Sequence, residues 1–161
     1  MKYILTLALL FINTSIIAQN IKVDKDDWKG NITVTDENTF RITKGNYEVN
    51  YFYISSSTDK GKNYSHSIGF LFSENSRTLN KPVDGIYLKA GDQEPVEGTV
   101  VKDGGTALLK LSGFEVQEIK RSENLTIRIY ITPSYSIDKV FSQNEVDYIL
   151  NFINKAELEK I

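Results

Sequence analysis

A two-residue rhythm constrains this chain more than any other feature. Residues 125–131 read LTIRIYI, with Leu125, Ile127, Ile129 and Ile131 on one side. Successive side chains of an extended strand point to opposite faces, so such alternation buries one face and wets the other. The same period recurs upstream. In NITVT (31–35) Ile32 and Val34 share a face, and after Asp36-Glu37-Asn38 the pattern resumes at Phe40 and Ile42, which predicts a hairpin. YEVNYFYI aligns Tyr47, Val49, Tyr51 and Tyr53, with Phe52 and Ile54 opposite. SSSTDKGKNYS (55–65) has the composition of a flexible connection. YSHSIGFLF (64–72) then places His66, Ile68, Phe70 and Phe72 in one row. Further strands are predicted over 85–90, 96–102 and 106–111, the last two joined as a tight hairpin through Asp103-Gly104-Gly105.

Two segments follow a helical period instead. GFEVQEIK (113–120) spaces Phe114, Val116 and Ile119 for a short helix. Residues 142–158 open with SQNE, in which Ser142 and Glu145 can form a capping box, and continue with Val146, Ile149, Leu150 and Ile153 on one stripe. An amphipathic helix of this length is marginal alone in water, so its stripe must cover a sheet face or one end of a sandwich. The expected fold is therefore a single mainly-β domain, an antiparallel β-sandwich or strongly curved sheet of about seven to nine strands with a C-terminal helix.

The first residues, MKYILTLALLFINTSIIAQN, have the form of a signal peptide: basic Lys2, an uncharged and mostly apolar run over 3–17, and small Ala18 before Gln19. The run is shorter than the roughly 20 apolar residues of a membrane-spanning helix. Cleavage after Ala18 leaves residues 19–161 as one domain, expected to be secreted or periplasmic with no membrane span. The chain has no cysteine, which excludes disulfides, thiolate metal sites, a cysteine nucleophile and the lipid-attachment cysteine of a lipoprotein. Its interior must hold by apolar contact, which a domain of this size can supply. The formal net charge of −2 becomes −3 once Lys2 is removed, a balance that implies no nucleic-acid partner.

Few catalytic chemistries have their residues present. His66 is the only histidine; its neighbours Ser65 and Ser67 fall on the opposite face of a strand, and no G-x-S-x-G elbow exists. It reads as a side chain at the rim of an apolar row. One histidine without cysteine leaves no zinc site. DKDDWKG gathers Asp24, Asp26 and Asp27, but counted from Asp24 an EF-hand would need glycine at Lys29 and glutamate at Thr35. It reads as an acidic lead-in to the first strand, with an irregular calcium loop as the alternative. In GDQEPVEG, Asp92, Glu94 and Glu97 are candidates for a glycosidase pair, which needs carboxyls about 5 to 9.5 Å apart; Gly91, Pro95 and Gly98 make a charged turn the plainer reading. No cofactor is expected. Tyr47, Tyr51 and Tyr53 in register, with Trp28, are a candidate platform on which a sugar or other flat ligand could stack; burial of the rings in cross-strand pairs is the plainer reading, since strands select aromatics anyway.

The order Gly85-Ile86-Tyr87-Leu88, a glycine turn, a short helix-like run ending near Lys120, a strong strand and a closing helix resembles the C-terminal half of the invasion-associated locus B family of exported bacterial proteins. The likeness covers about half the chain and implies a small, β-rich, secreted or periplasmic protein without established catalysis. Members usually carry cysteines in the stretch corresponding to 104–112, where this chain has none. The expected function is that of an exported, non-enzymatic binding or envelope-associated protein, most simply bacterial, with an unidentified protein or glycan partner. The competing expectations are a carboxylate-dependent glycan hydrolase and a glycan-binding module using the tyrosine strand.

Overall fold

The computed structural model describes residues 20–27, 29–57, 64–79, 83–98, 105–122 and 124–158. In chain order the elements are β1 (Ile21–Asp26), β2 (Asn31–Asp36), β3 (Phe40–Lys44), β4 (Tyr47–Ser57), β5 (Tyr64–Glu74), β6 (Arg77–Thr78), β7 (Gly85–Ala90), β8 (Val96–Glu97), β9 (Thr106–Leu111), α1 (Gly113–Arg121), β10 (Leu125–Thr132), β11 (Tyr135–Phe141) and α2 (Gln143–Leu158). The protein is mainly β, with antiparallel sheets and a C-terminal helix, as the alternation predicts. Among the described residues no helix is long and apolar enough to cross a membrane.

The larger sheet is organised about β4 and β5, which pair without interruption from Tyr47 opposite Glu74 to Ser57 opposite Tyr64. Because β5 occupies one edge of β4 throughout, β2 and β3 share the other, β2 opposite residues 54–57 and β3 opposite residues 47–51. The hairpin expected over 31–42 is therefore not formed. β2 and β3 are two halves of one bent strand, interrupted at residues 37–39, and β1 closes that edge by pairing with β2. On the far side of β5, β9 and β6 likewise share an edge.

The smaller sheet has the order β11-β10-β7-β8. Its composition overturns the second predicted hairpin: β8 pairs with β7 in this sheet, whereas β9 pairs with β5 in the other. The Asp103-Gly104 turn proposed for it lies outside the described residues. The loop expected over 55–65 is also shortened, since β4 runs on to Ser57 and β5 begins at Tyr64, with residues 58–63 outside the description. β1 and β11 were not anticipated. In YSIDKVF the outward Val140 is 63% exposed while Ile137 and Phe141 are buried, so apolar residues fall on both faces and blur the period.

The inner face of the larger sheet carries Ile32, Val34, Val49, Tyr51, Tyr53, Ile68, Phe70, Phe72 and Leu109, all buried. Two different covers share it. Phe141 of β11 meets Tyr51 with ring centroids 5.9 Å apart, and Phe152 and Tyr148 of α2 each meet Tyr53 at 5.9 Å. The inward residues of β10, Leu125, Ile127 and Ile129, are fully enclosed; burying one such side chain stabilises the fold by about 1.5–3 kcal/mol. Both helices begin as the sequence implies. Ser112 caps α1 in a capping box with Glu115, and Ser142 exchanges hydrogen bonds with Glu145 at the start of α2. Glu145 also meets Lys139 at 2.6 Å. Burial raises the Glu145 carboxyl, but the bonds from Lys139 and Ser142 outweigh it and hold the group below its ordinary value.

The break between β2 and β3 has a local cause. Asp36 is 1% exposed, and its Oδ1 accepts from both the backbone N–H and the side-chain amide of Asn38 at 3.0 Å, an Asx turn that takes the backbone out of the ladder. Tyr148, reaching over from α2, donates its hydroxyl to Asp36 Oδ2 at 2.5 Å and accepts from Asn38 Nδ2 at 2.8 Å. The bent strand and the helix are thereby tied at one buried carboxylate. Removing the phenol leaves that carboxylate short of a donor, and bonds to charged groups contribute about 1.5–3 kcal/mol. Tyr148→Phe should therefore lower the unfolding free energy by about 1.5–3 kcal/mol in urea titrations. Tyr135→Phe, whose hydroxyl donates to the exposed Lys44 carbonyl, should cost less than about 1 kcal/mol.

Candidate functional site

The tyrosine platform drawn from the sequence does not form on β4. Tyr51 and Tyr53 are each 2% exposed, packed into the interior described above. Tyr47 is half-buried against Tyr135, with centroids 5.2 Å apart, and Trp28 lies outside the described residues. The three tyrosines do share a face, but it is the face the core claims. A flat aromatic row on the central strand of a covered sheet is the densest apolar material available to seal it.

His66 is not at a rim either. It is 6% exposed, stacked on Tyr64 with rings 10° from parallel, and held from both sides. Nδ1 lies 2.7 Å from Oγ of Ser55, its cross-strand partner, and Nε2 lies 3.2 Å from Oε1 of Glu157 near the end of α2. A carboxylate only accepts, so a neutral ring donates Nε2–H to Glu157 and accepts the Ser55 hydroxyl proton at Nδ1. Serine, histidine and carboxylate thus stand in line, but with the two ring nitrogens reversed from a serine hydrolase, where the nucleophile meets Nε2 and the carboxylate Nδ1. Access to substrate is what they lack: Ser55 is 0% exposed, and a nucleophile must reach a carbonyl carbon. This group fastens the end of α2 to the sheet.

The open chemistry lies on the outer face of the smaller sheet, opposite the buried side of β10. Register arranges that face in rows across the strands. Glu97, Tyr87, Arg128 and Asp138 follow one another on β8, β7, β10 and β11. Beside them run Lys89, Thr126 and Val140, and on the other side Gly85, Tyr130 and Ser136. Tyr87, Lys89, Pro95, Thr126, Arg128 and Tyr130 line an open groove of about 480 Å³, within the roughly 300–1,000 Å³ of small-ligand clefts. Arg128 grips Asp138 with two bonds, Nε to Oδ1 at 2.8 Å and Nη2 to Oδ2 at 2.9 Å. That bond from Arg128 holds the Asp138 carboxyl below its ordinary range despite partial burial. The Glu97 charge, followed by desolvation, pushes the Tyr87 phenol up and keeps it a hydrogen-bond donor at neutral pH. Lys89 has no ion-pair partner among the described residues. The signal in the sequence is the set of residues between the apolar ones of LTIRIYI and of IYLK, which a period of two marks as outward without saying that the two rows meet.

The carboxylates of DKDDWKG and GDQEPVEG lie on exposed turns and edges. Asp92 and Glu94 are exposed on the turn between β7 and β8, and Asp24 and Asp27 are exposed near β1; no group of three or more metal-ligating side chains occurs among the described residues. No family model, curated protein or solved structure matches the chain.

The His66 group makes stability depend on pH in a calculable direction. Burial lowers the imidazole pKa from 6.5; the hydrogen bond and charge of Glu157 oppose this, and the Lys120 charge adds to it. The unfolded chain then binds a proton before the folded one does, so the contribution is whole above pH 6.5 and is lost as pH falls through the lowered value. The urea midpoint should fall between pH 7.5 and pH 5.5. His66→Gln, in a chain with no other histidine, should show a flat profile across that window, and a wild-type midpoint that rises on acidification would contradict the assignment.

Proposed function

We propose that the protein is an exported, non-enzymatic binding or envelope-associated module that holds its ligand in the groove on the outer face of the smaller sheet. One contrast carries this reading. The open groove offers aromatic, hydroxyl and charged side chains together, while Ser55 and His66 of the Ser55–His66–Glu157 line are buried away from substrate. The signal-like residues 1–18 and the absence of cysteine support export of an unlipidated chain. A β-scaffold suits binding, because all the lining residues but Pro95 come from the paired strands β7 and β10 and are ordered before the ligand arrives.

Two measurements test the proposal. N-terminal sequencing of the protein recovered from a bacterial periplasm or culture medium should begin at Gln19; recovery only from the cytosol with residues 1–18 attached would refute export. An NMR fragment screen of the mature chain should give amide shifts clustered at Tyr87, Lys89, Thr126, Arg128 and Tyr130 and abolished by Arg128→Ala. Fragment contacts scattered over the surface, or centred elsewhere, would refute the groove as the binding site.

A further inference from the structure

Within this groove the chemistry selects among ligand classes. Gly85 and Tyr87 are alternate residues of β7 and share the outer face. A Cβ built on Gly85 would lie 2.9 Å from Cε2 of Tyr87 and 3.5 Å from its hydroxyl, so the ring leans along the strand with its Cε2 edge against the glycine rather than standing away from the sheet. Tyr130 meets it edge to face, with centroids 5.7 Å apart and planes at 88°. Tyr87 is only partly buried and lines the groove, so ring surface held by these two contacts is open to a ligand there. Flat C–H-bearing ligand surfaces pack on such a face, and a pyranose ring presents one.

The polar surroundings narrow the choice. Lys89 and Arg128 are cationic, while Asp138 and Glu97 stand at the two ends of the row that crosses Tyr87, so the groove and its ends together are formally neutral. A polyanion would gain little from cations balanced by two carboxylates. An uncharged polyol matches both signs at once, because each hydroxyl donates one hydrogen bond and accepts others. The Arg128–Asp138 pair, about half exposed at 52% and 42%, presents fixed donors and acceptors side by side, and Thr126 adds a hydroxyl in the lining.

We infer that the groove binds a neutral oligosaccharide, one sugar ring stacked on Tyr87 and its hydroxyls engaged by Lys89, Arg128 and Asp138. The inference rests on the groove being the binding site as proposed above.

The test is an amide-shift titration of the mature chain with cellohexaose, maltohexaose, mannohexaose and chitohexaose, with hexagalacturonate and a mixed-sequence hexapeptide as the other arms. At least one neutral hexasaccharide should produce saturable shifts at Tyr87, Arg128 and Tyr130 that persist in 0.5 M salt. Tyr87→Ala should weaken that binding roughly five- to tenfold, and Tyr47→Phe should leave it unchanged. Should Tyr87→Ala fail to fold, Tyr87→Leu keeps apolar bulk without a flat ring and should show the same loss. Groove shifts produced only by hexagalacturonate or the peptide would overturn the sugar assignment and leave the binding site standing. Groove shifts with none of these probes would overturn the sugar assignment too, and a fragment screen equally silent at the groove would remove the site itself.

Discussion

The unbroken pairing of β4 with β5 is the constraint on which the rest of the molecule depends. It produces a long two-strand surface, widened on both edges by shorter strands, whose inner side is almost continuously apolar from Val49 to Leu109. Such a face is too broad for one helix. The smaller sheet covers the end near Tyr51 and α2 the end near Tyr53 and His66, and α1 adds Val116 and Ile119 to the same core. In a chain without cysteine this joint cover replaces cross-links. The polar ties at its margins, Tyr148 to Asp36 and Glu157 to His66, fix where α2 sits along the sheet. Apolar contact alone would leave that position poorly specified, since hydrophobic attraction has little directionality.

The same division explains where chemistry can occur. A strand with one covered face has one free face, and β10 is the clearest case: Ile127 and Ile129 point into the core while Arg128 and Tyr130 point out. Because β7 and β11 flank β10 in register, their outward residues join its own in straight rows. Two neighbouring strands, β7 and β10, with Pro95 from the turn before β8, thereby assemble a groove from side chains that are far apart in sequence. The interior of the molecule takes the opposite course. There, among the described residues, the buried polar side chains Asp36, Ser55 and His66 are turned onto protein partners rather than onto solvent.

The extent to which this was legible in the sequence follows from how far apart the interacting residues lie. Alternation located β2, β5 and β10 with the inner face of each, β7 is legible as a strand without a face, and the Ser142–Glu145 spacing located the start of α2, because these depend on near neighbours. Turn composition misled where it named a chain reversal. Asp36-Glu37-Asn38 does have turn chemistry, but Tyr148 and the waiting edge of β4 convert the turn into a bend within one strand. Residues 96–102 and 106–111 looked like hairpin partners, and only tertiary pairing sends Val96 to β7 and Thr106–Leu111 to β5. The partners of His66 were out of reach for the same reason: Ser55 faces it across a strand pair, and Glu157 approaches from the last turn of the closing helix. Burial of Tyr51 and Tyr53 agrees with the cross-strand reading and removes the platform, although a period of two by itself tells which residues share a face and leaves open which face is covered.

The account therefore turns on a partition of the tyrosines between a sealed interior and one open sheet face. Hydroxyl-radical footprinting of the folded mature chain, read by mass spectrometry residue by residue, measures that partition directly. Tyr87 and Tyr130 should be oxidised readily while Tyr51 and Tyr53 stay protected until urea unfolds the protein. Equal labelling of Tyr51 and Tyr53 in the native state, or protection of Tyr87 and Tyr130, would contradict it.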